Sequence, residues 1–527
     1  MSAFSALLPG MGESHPYVLN RRIRELMLIG ASAAIPLALA LAISLEVSKP
    51  NLLLVLGLIV GGLGIVALIG SDRYPMTLTF IVLYLGLLEG PVKLGSGGHE
   101  AASVIRDILI FAVVLGAMLR LLVKRESITL PPMSGWVLAY GALVLVEAFN
   151  PNTHGILKIL GGFRQQLEWL PFFFFGYVVM RSKERFRRLF LILGVLALAN
   201  GAVSTYQSRL SPGQLASWGP GYRELVFGAN GVSARTFASG GSARVRPPAL
   251  GTDAGFGGAV GLVALPGTLA LLATGGLRRR WPVLLLCLGA LAGVATGLGR
   301  LQVVGAVIAV LAFTALAFSS AGRQITRPLA ALLAVLVLAL PLGAVLVSYV
   351  GGSAFSRYTE IAPSNVTEAK DTKTNEVAHI PSQILAAPFG LGLGTVGASA
   401  GFGGIQKNLI EGHATGAESQ YKFVLDELGL PGLLLWVGLL VTMLVQALPK
   451  LRRIVDFELR MEIAAIVSPI IAMAVIGFSG PVMSSAALGP FFWFTAGVIA
   501  YWFAGSGRKI AFGTAAPGLG RRERQLA

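Results

Sequence analysis

Five arginines stand where their charge could bind phosphate: Arg164, Arg244, Arg246, Arg300 and Arg357. Arg300 ends a short turn, Ala295-Thr296-Gly297-Leu298-Gly299, between two long apolar runs. An ionisable group at the edge of an apolar run is costly, so it usually faces a cavity and a partner. Because a guanidinium stays charged and can bind two phosphate oxygens at once, the set predicts a diphosphate site. The alternative is that each arginine reaches lipid phosphates at the membrane surface.

A carboxylate and an imidazole precede another apolar run. Glu418 is followed by Ser419, Gln420 and Tyr421, and His413 lies five residues upstream between small residues. A carboxylate at the boundary between water and membrane can act as a general base. The alternatives are a carboxylate that stabilises a helix start and a solvated loop histidine. We predict that Glu418 and Arg300 are catalytic. The predicted substrate-binding residues are Arg164, Arg246, Arg357, His413 and Tyr421.

The segment before Glu418 is rich in glycine. Gly392, Gly394 and Gly397 have the spacing of a dinucleotide-binding fingerprint, but no strand–helix–strand pattern surrounds them. We interpret these glycines as positions of positive φ and close backbone approach beside a substrate. The chain carries no HExxH, cysteine–histidine cluster, P-loop or GxSxG motif. We therefore expect no metal and no cofactor.

Composition predicts the elements that must position these residues. Of the 527 residues, 54% are hydrophobic and 13% are charged, whereas soluble chains carry about 25% charged residues. Apolar runs recur near the length of about 20 residues that crosses a bilayer. They predict an all-α polytopic membrane protein, a single transmembrane domain over residues 1–527 with about fourteen helices. The runs are Leu26–Leu45, Asn51–Gly70, Met76–Val92, Val104–Val123, Met133–Phe149, Gln166–Met180, Leu189–Gln207, Phe256–Thr274, Trp281–Leu298, Leu301–Ser319, Leu329–Tyr349, Phe423–Leu448, Ile463–Phe478 and Leu488–Ala504.

Basic residues predict the orientation. If the N-terminus lies in the cytoplasm, every connection on that side carries lysine or arginine, as the positive-inside rule requires. The C-terminus is then cytoplasmic too, and two long outer loops, 208–255 and the larger 350–422, are expected to cap the outer face. This bias explains most of the net charge of +17, which therefore gives no reason to expect a nucleic-acid partner.

Four segments of the chain carry a family resemblance. They are Arg246–Asp253, Thr296–Arg300, Pro388–Thr395, and Glu418-Ser419 followed after nine residues by Gly429 and then by Gly432. In order and placement they resemble motifs of the O-antigen ligase and Wzy-type polysaccharide polymerase superfamily of bacterial envelopes. The chain departs from the ligase pattern at Glu418, where the ligases carry histidine. The polymerase branch is therefore favoured.

This resemblance implies a metal-independent, inverting glycosyltransferase at the outer face of the bacterial inner membrane. The donor would be an oligosaccharide on undecaprenyl pyrophosphate, and the acceptor would be a second lipid-linked repeat unit or a lipid-A core sugar. Arg300 would neutralise the departing pyrophosphate, and Glu418 would lie near the acceptor hydroxyl. Arg357 would match an arginine early in the large loop, with Lys373 as the competing assignment. The sequence leaves open whether Arg244 and Arg246 contact substrate or brace the first loop.

A flippase or other transporter of lipid-linked oligosaccharides is the alternative from another functional class. Two long outer loops and site residues on one face argue against it, because transporters hold substrate near the membrane midplane. Another membrane glycosyltransferase, such as a peptidoglycan polymerase, is disfavoured by the loop motifs. Membrane lipids are expected partners in every case, and a chain-length regulator is a further candidate partner.

Overall fold

The computed structural model describes residues 16–17, 74–95, 106–107, 109–111, 113–115, 128–153, 155–228, 236–239, 242–275, 280–321, 326–361, 380–401, 419–482 and 485–512. These residues are mostly helical. Among them, five helices are long and apolar enough to cross a bilayer: Lys183–Gln207, Phe256–Thr274, Arg300–Phe318, Gln420–Leu451 and Phe457–Ile476. The chain is therefore a helical membrane protein. The predicted spans Leu26–Leu45 and Asn51–Gly70 lie outside the described residues, and Val104–Val123 is described only in part.

We number the helices in chain order. In the first half they are α1 Tyr74–Leu83, which continues as the π-helical turn Tyr84–Leu88, then α2 Glu89–Gly95, α3 Ser134–Glu147, α4 Ile156–Leu167, α5 Pro171–Val179, α6 Lys183–Gln207, α7 Pro212–Ala216 and α8 Pro220–Phe227. In the second half they are α9 Phe256–Thr274, α10 Arg280–Thr296, α11 Arg300–Ala321, α12 Thr326–Val350, α13 Ile380–Ala386, α14 Gln420–Leu451, α15 Phe457–Ile476, α16 Leu488–Ile499 with the π-helical turn Ala500–Ala504, and α17 Gly507–Phe512. Two 3₁₀ segments cover Gly352–Ile361 and Gly397–Gly401.

Short antiparallel strand pairs complete the described secondary structure. Strand β1, Pro16–Tyr17, pairs with β2, Ile128–Thr129, so that Pro16 lies opposite Thr129. Strands β3, Thr236–Ser239, and β4, Ser242–Val245, pair with Phe237 opposite Arg244. Helices α7 and α8 and the β3–β4 pair make up most of the described part of the first long predicted loop, 208–255.

Helix α9 lies at the centre of the bundle. Every residue from Phe256 to Ala273 is buried, and α6, α10, α11 and α15 pack around it. Glycines let neighbouring helices approach closely: a β-carbon built on Gly201 of α6 would lie 2.1 Å from the carbonyl oxygen of Gly289 in α10. Small residues at such crossings are the usual means of packing helices in lipid, where the hydrophobic effect does not drive them together.

Predicted and observed helices agree best for α9 at the centre of the bundle. They agree least where a proline or a glycine interrupts a helix. The predicted span Phe256–Thr274 has the same bounds as α9. The prediction of one helix over Gln166–Met180 is wrong, because α4 ends at Leu167 and α5 begins at Pro171. Proline has no backbone N–H to donate and a fixed φ, so it suits the first turn of a new helix.

Helix α14 is also interrupted, at Gly429, where φ is 64° and ψ is −166°. The glycine-rich segment 388–397 lies against this break. Leu391 N–H donates to the carbonyl of Asp426 at 2.6 Å, and Leu430 N–H donates to the carbonyl of Pro388 at 2.8 Å. Irregular backbone at membrane depth persists only where protein or a cavity satisfies its polar groups, and here the segment does so.

The bundle has two distinct ends. We call the "Arg300 end" the one formed by the α10–α11 turn, the start of α14 and the turn 477–480. We call the "Lys183 end" the one formed by the starts of α6 and α15, where Lys183 Nζ lies 2.6 Å from Asp456 Oδ2. Helix α6 has 25 residues. At 1.5 Å per residue it separates the two ends by about 36 Å.

Candidate functional site

The turn that carries Arg300 is held by polar contacts to α6. Thr296 Oγ1 donates to Ser204 Oγ at 3.0 Å, just before the turn, and Leu298 takes a positive φ of 51°. Arg300 is half-buried and opens α11. The sequence prediction of a tight turn between two long helices is confirmed.

The 3₁₀ segment Gly352–Ile361 joins this turn from the second long loop. Tyr358 Oη donates to the carbonyl of Ala295 at 2.7 Å, five residues before Arg300. The backbone of Arg357, the preceding residue, is therefore fixed beside the end of α10, while its side chain lies outside the described residues. Arg244 reaches the same segment, since a β-carbon built on Gly351 would lie 3.7 Å from its Nη2.

The turn 477–480 connects the start of α11 with the start of α14. The carbonyl of Gly477 accepts from Gln420 N at 2.7 Å and from Ser419 Oγ at 3.2 Å. A β-carbon built on Gly480 would lie 2.6 Å from Leu301 Cδ1. The residue after Arg300 and the residue after Glu418 thus contact one turn. Glu418 and His413 themselves lie outside the described residues. The sequence predicts that this helix begins at Glu418, and in the structure α14 begins at Gln420.

Arg246 belongs to an irregular stretch that follows β4 and packs on α6. Ala249 N–H donates to Gln207 Oε1 at 2.7 Å, and Leu250 N–H donates to Asn200 Oδ1 at 3.1 Å. Arg246 is half-buried at the start of this stretch. Side chains of α6 therefore fix the backbone that carries it.

Arg164 is the predicted site residue whose ion pair is best defined. Its Nε lies 2.9 Å from Asp107 Oδ2, within a network of five charged groups centred on Arg106. Arg106 Nη1 lies 2.5 Å from Glu89 Oε1, and Arg106 also pairs with Glu168 and stacks over the Trp169 ring. Glu89, Arg106 and Glu168 are all buried, so the network neutralises charge inside the bundle.

Tyr421 is engaged by neighbouring helices. Its hydroxyl donates to the carbonyl of Ala474 at 2.8 Å. Its ring stacks on Phe478 with centroids 4.3 Å apart and stands edge-on to Trp436 at 5.1 Å. These contacts give Tyr421 a packing role between α14 and α15, and substrate contact by it stays a prediction.

The glycine-rich segment adopts the predicted positive φ at Gly390, Gly392, Gly394 and Gly397, with values of 70° to 87°. However, the backbone of this segment lies close to other parts of the protein, whereas the sequence predicts a close approach to substrate. A β-carbon built on Gly392 would lie 2.3 Å from Thr153 Oγ1, and one on Gly394 would lie 2.6 Å from the carbonyl oxygen of Lys158. The segment therefore fits tightly against α4, which the sequence analysis did not anticipate.

Glu427, which sequence reasoning missed, is the polar centre of this contact. Its side chain is fully buried, and Gln166 Nε2 donates to its Oε2 at 2.7 Å while Gln165 Nε2 donates to Oε1 at 3.2 Å. Ser399 Oγ also donates to Oε1 at 3.5 Å, and Gln165 Nε2 donates to the carbonyl of Val396 at 3.0 Å. Tyr140 Oη in turn donates to Gln166 Oε1 at 2.5 Å. One carboxylate thus joins α3, α4, α14 and the glycine-rich segment.

A signal for these missed groups was present in the sequence. Glu89, Arg106, Asp107, Glu168 and Glu427 all fall inside predicted spans. Ionisable residues at membrane depth are rare and usually face a partner or a cavity. Among the described residues, however, no three His, Cys, Asp or Glu side chains are grouped so that they could hold a metal ion.

At the Arg300 end, four segments that carry or adjoin predicted site residues therefore come together. They are the turn before Arg300, the 3₁₀ segment with Arg357, the stretch with Arg246 and the start of α14. Arg164 is held by Asp107 in the buried network. Comparisons of the chain with protein-family models, with curated proteins and with solved structures gave no match.

Proposed function

We propose that the chain is a membrane glycosyltransferase that polymerises, or ligates, undecaprenyl-pyrophosphate-linked oligosaccharide repeat units at the outer face of the bacterial inner membrane. The observation that carries the proposal is the meeting of elements at the Arg300 end. Tyr358, beside Arg357, binds the backbone of Ala295 at 2.7 Å, and Leu301 and Ser419 contact the turn 477–480. These elements are distant in the chain, and each carries a residue that the motifs assign to the reaction.

The chemistry requires charge to be neutralised on the leaving group. The acceptor hydroxyl attacks the anomeric carbon of the donor sugar, a new C–O bond forms, and the bond to the pyrophosphate breaks with inversion. Glu418 takes the hydroxyl proton, and Arg300 with Arg357 neutralises the lipid pyrophosphate that departs. Preorganised donors of this kind contribute about 10²–10³ in rate each, and a positioned base contributes about 10²–10⁴.

We further propose that the chain crosses the membrane about fourteen times, with both termini in the cytoplasm and residues 208–255 and 350–422 outside. Contacts between the described connections support this topology. Asn150 Nδ2 donates to the carbonyl of Phe389 at 3.4 Å, and both residues are assigned outside. Trp502 Nε1 donates to the carbonyl of Met180 at 2.8 Å, and both lie at helix ends assigned to the cytoplasmic side.

Transport of lipid-linked oligosaccharide is the second candidate, and the network centred on Arg106 is the observation that favours it. Buried pairs of acidic and basic residues often mark ion or proton pathways through membrane proteins. The network nevertheless lies near the Arg300 end by the same topology, since α2 also packs there: a β-carbon built on Gly90 would lie 2.3 Å from the carbonyl oxygen of Gly251. A midplane transport site would lie further from this end.

One experiment separates the two functions. The purified chain is reconstituted in liposomes with fluorescent lipid-linked repeat units, without nucleotide sugar and with a metal chelator. The proposed enzyme lengthens the glycans, which appear as a ladder on a gel. Movement of the labelled units between leaflets without lengthening would instead identify a transporter and overturn the proposal.

A further inference from the structure

An apolar groove runs along α6 from its start at the Lys183 end. It has a volume of about 740 Å³ and lies between α1, α5, α6, the start of α9 and the start of α16. Its walls are aliphatic and aromatic, with Leu78, Val82, Ile192 and Phe491 among them. The volume falls in the range of about 300–1,000 Å³ typical of small-molecule sites.

Charge enters the groove only at one point of its described lining, where Arg185 and Arg188 project from the first turns of α6. Arg185 Nη1 donates to the carbonyl of Val179 at 2.7 Å, which holds its guanidinium at the mouth, and Arg188 is exposed. The groove is therefore apolar along its length and cationic at the Lys183 end.

The four basic residues at the start of α6 divide between two faces. Lys183 and Arg187 pair with carboxylates of the α15 start, at 2.6 Å from Asp456 and 2.7 Å from Glu458. At about 100° per residue, Arg185 and Arg188 lie about 150° around the helix from that pair. No carboxylate of the described residues forms an ion pair with either of them. Protein carboxylates thus neutralise one face of the α6 start, and the face toward the groove stays positively charged.

We propose that this groove binds an anionic diacyl phospholipid, with its phosphate at Arg185 and Arg188 and its acyl chains along α1 and α6. Charge complementarity selects an anionic head group, because basic pockets between transmembrane helices bind such head groups. The rise of α6 along the groove suits the acyl chains of one leaflet. From Arg185 to Leu196, α6 rises about 16 Å, which is roughly half of the hydrocarbon thickness of about 30 Å, or one leaflet.

The inference does not depend on the chemistry proposed for the Arg300 end. The lipid phosphate would lie at the Lys183 end, and the lipid is neither donor nor acceptor. A bound lipid there would fill the gap between α1 and α6 and hold α1 against the bundle.

The test measures lipid binding to the purified full chain by native mass spectrometry, with phosphatidylglycerol and phosphatidylcholine of identical acyl chains. Wild type should bind phosphatidylglycerol more tightly. Two arginines at an anionic surface contribute a combined factor of about 30, so Arg185→Gln/Arg188→Gln should lose about 30-fold in phosphatidylglycerol affinity. Its loss in phosphatidylcholine affinity should be smaller, because the choline cation offsets the charge of the phosphate.

Arg452→Gln/Arg453→Gln is the matched control, because it removes two exposed arginines from the same end outside the groove lining. It should bind both lipids as wild type does. Val82→Trp narrows the groove and should weaken both lipids. Equal affinity of wild type for the two lipids, unchanged phosphatidylglycerol affinity in Arg185→Gln/Arg188→Gln, or unchanged binding in Val82→Trp would overturn the proposal.

Discussion

Glu427 illustrates how a single buried carboxylate organises distant parts of this chain. It lies at 0% exposure and accepts hydrogen bonds from two glutamine side chains and the hydroxyl of Ser399. A charge or polar group taken out of water is costly unless its hydrogen bonds are replaced, and here they are. The same bonds fix the glycine-rich segment on α4 and α14, so the position of that segment depends on this side chain.

Replacing Glu427 tests this role. Glu427→Gln keeps the size of the side chain but turns one acceptor oxygen into a donor that faces other donors. We expect a loss of about 1–3 kcal/mol in the free energy of unfolding, as for other unsatisfied buried groups. The measurement is the thermal midpoint in detergent by intrinsic fluorescence. Glu224→Gln, at an exposed position of α8, is the control and should leave the midpoint unchanged.

Equal midpoints for Glu427→Gln and wild type would show that the hydrogen bonds around this carboxylate contribute little to stability.

Sequence reasoning identified some residues of the Arg300 end and missed others for a physical reason. The turn before Arg300 is local, so glycine spacing between two apolar runs was enough to predict it. The bond from Gln166 to Glu427 spans 261 residues, and nothing local to either residue indicates it. What the sequence did contain was a charged residue inside a predicted span, which signals that a partner must exist but does not identify it.

At the scale of elements, hydrophobic length predicted the helices where backbone hydrogen bonding is continuous. Helix α9 was predicted to the residue because it is apolar on all sides and fully buried. The prediction failed at Glu168–Leu170, between α4 and α5, and at Gly429 inside α14. Each break has a carboxylate at or before it and a proline after it, and a hydropathy window of about 20 residues averages these signals out.

The glycine-rich segment yields a prediction of its own. Gly394 has a φ of 70°, and its added β-carbon would lie 2.6 Å from the carbonyl oxygen of Lys158. Gly394→Ala should therefore destabilise the protein by more than about 1 kcal/mol, through backbone strain and a clash. Thermal unfolding measures the change.

Gly141→Ala is the matched control, because Gly141 lies within α3 with open space around its β-carbon position. Alanine favours the helix there by up to about 1 kcal/mol, so the control should be neutral or stabilising. A Gly394→Ala midpoint equal to that of Gly141→Ala would contradict the packing described for the segment.

Asp456 links α15 to α6 and gives a pH-dependent prediction. Burial raises the pKa of its carboxyl, but the hydrogen bond from Lys183 and the amides of Leu459 and Glu458 outweigh burial, so the pKa lies below its usual value. A lowered folded-state pKa stabilises the protein above the unfolded pKa of about 4. That contribution is lost as pH falls through the folded-state pKa. Because the pair with Lys183 is partly exposed, it is worth less than about 1 kcal/mol.

Asp456→Asn removes the charge and keeps a residue that can cap α15. We expect a small deficit in thermal midpoint relative to wild type at neutral pH, which shrinks as the pH falls below about 4 and disappears below the folded-state pKa. Asp456→Ala, which also removes the cap, should show a larger deficit that persists in acid. A deficit for Asp456→Asn that is constant with pH would contradict the assignment.

At the scale of the whole molecule, the charged residues of the described structure form two groups. Buried acid–base networks and the arginine-bearing turns lie toward the Arg300 end, whereas the exposed Arg188 and the pairs of α6 with α15 lie at the Lys183 end. Sequence patterning predicts only the basic bias of alternate connections, which is readable without any contact, and it missed the buried network. It could not anticipate which helices adjoin each other, since that depends on side-chain shape.

Cysteine labelling tests the proposed orientation. Cys287 is buried, so the wild-type chain should give little background. Arg223→Cys on α8 should react with a membrane-impermeant maleimide in intact cells. Arg452→Cys, after α14, should react only once the membrane is permeabilised. The reverse pattern would invert the topology and remove the site from the outer face.

The central claim, that Arg300 stabilises a departing pyrophosphate during glycan transfer, is tested most directly by the rate of glycan lengthening with purified protein and lipid-linked repeat units in the presence of a chelator. Arg300→Ala should lower that rate by about 10²–10³ while leaving the thermal midpoint unchanged. Arg223→Ala, which removes an exposed arginine of α8, should lengthen glycans at the wild-type rate. Lengthening by Arg300→Ala at the wild-type rate, or no lengthening by wild type, would contradict the account.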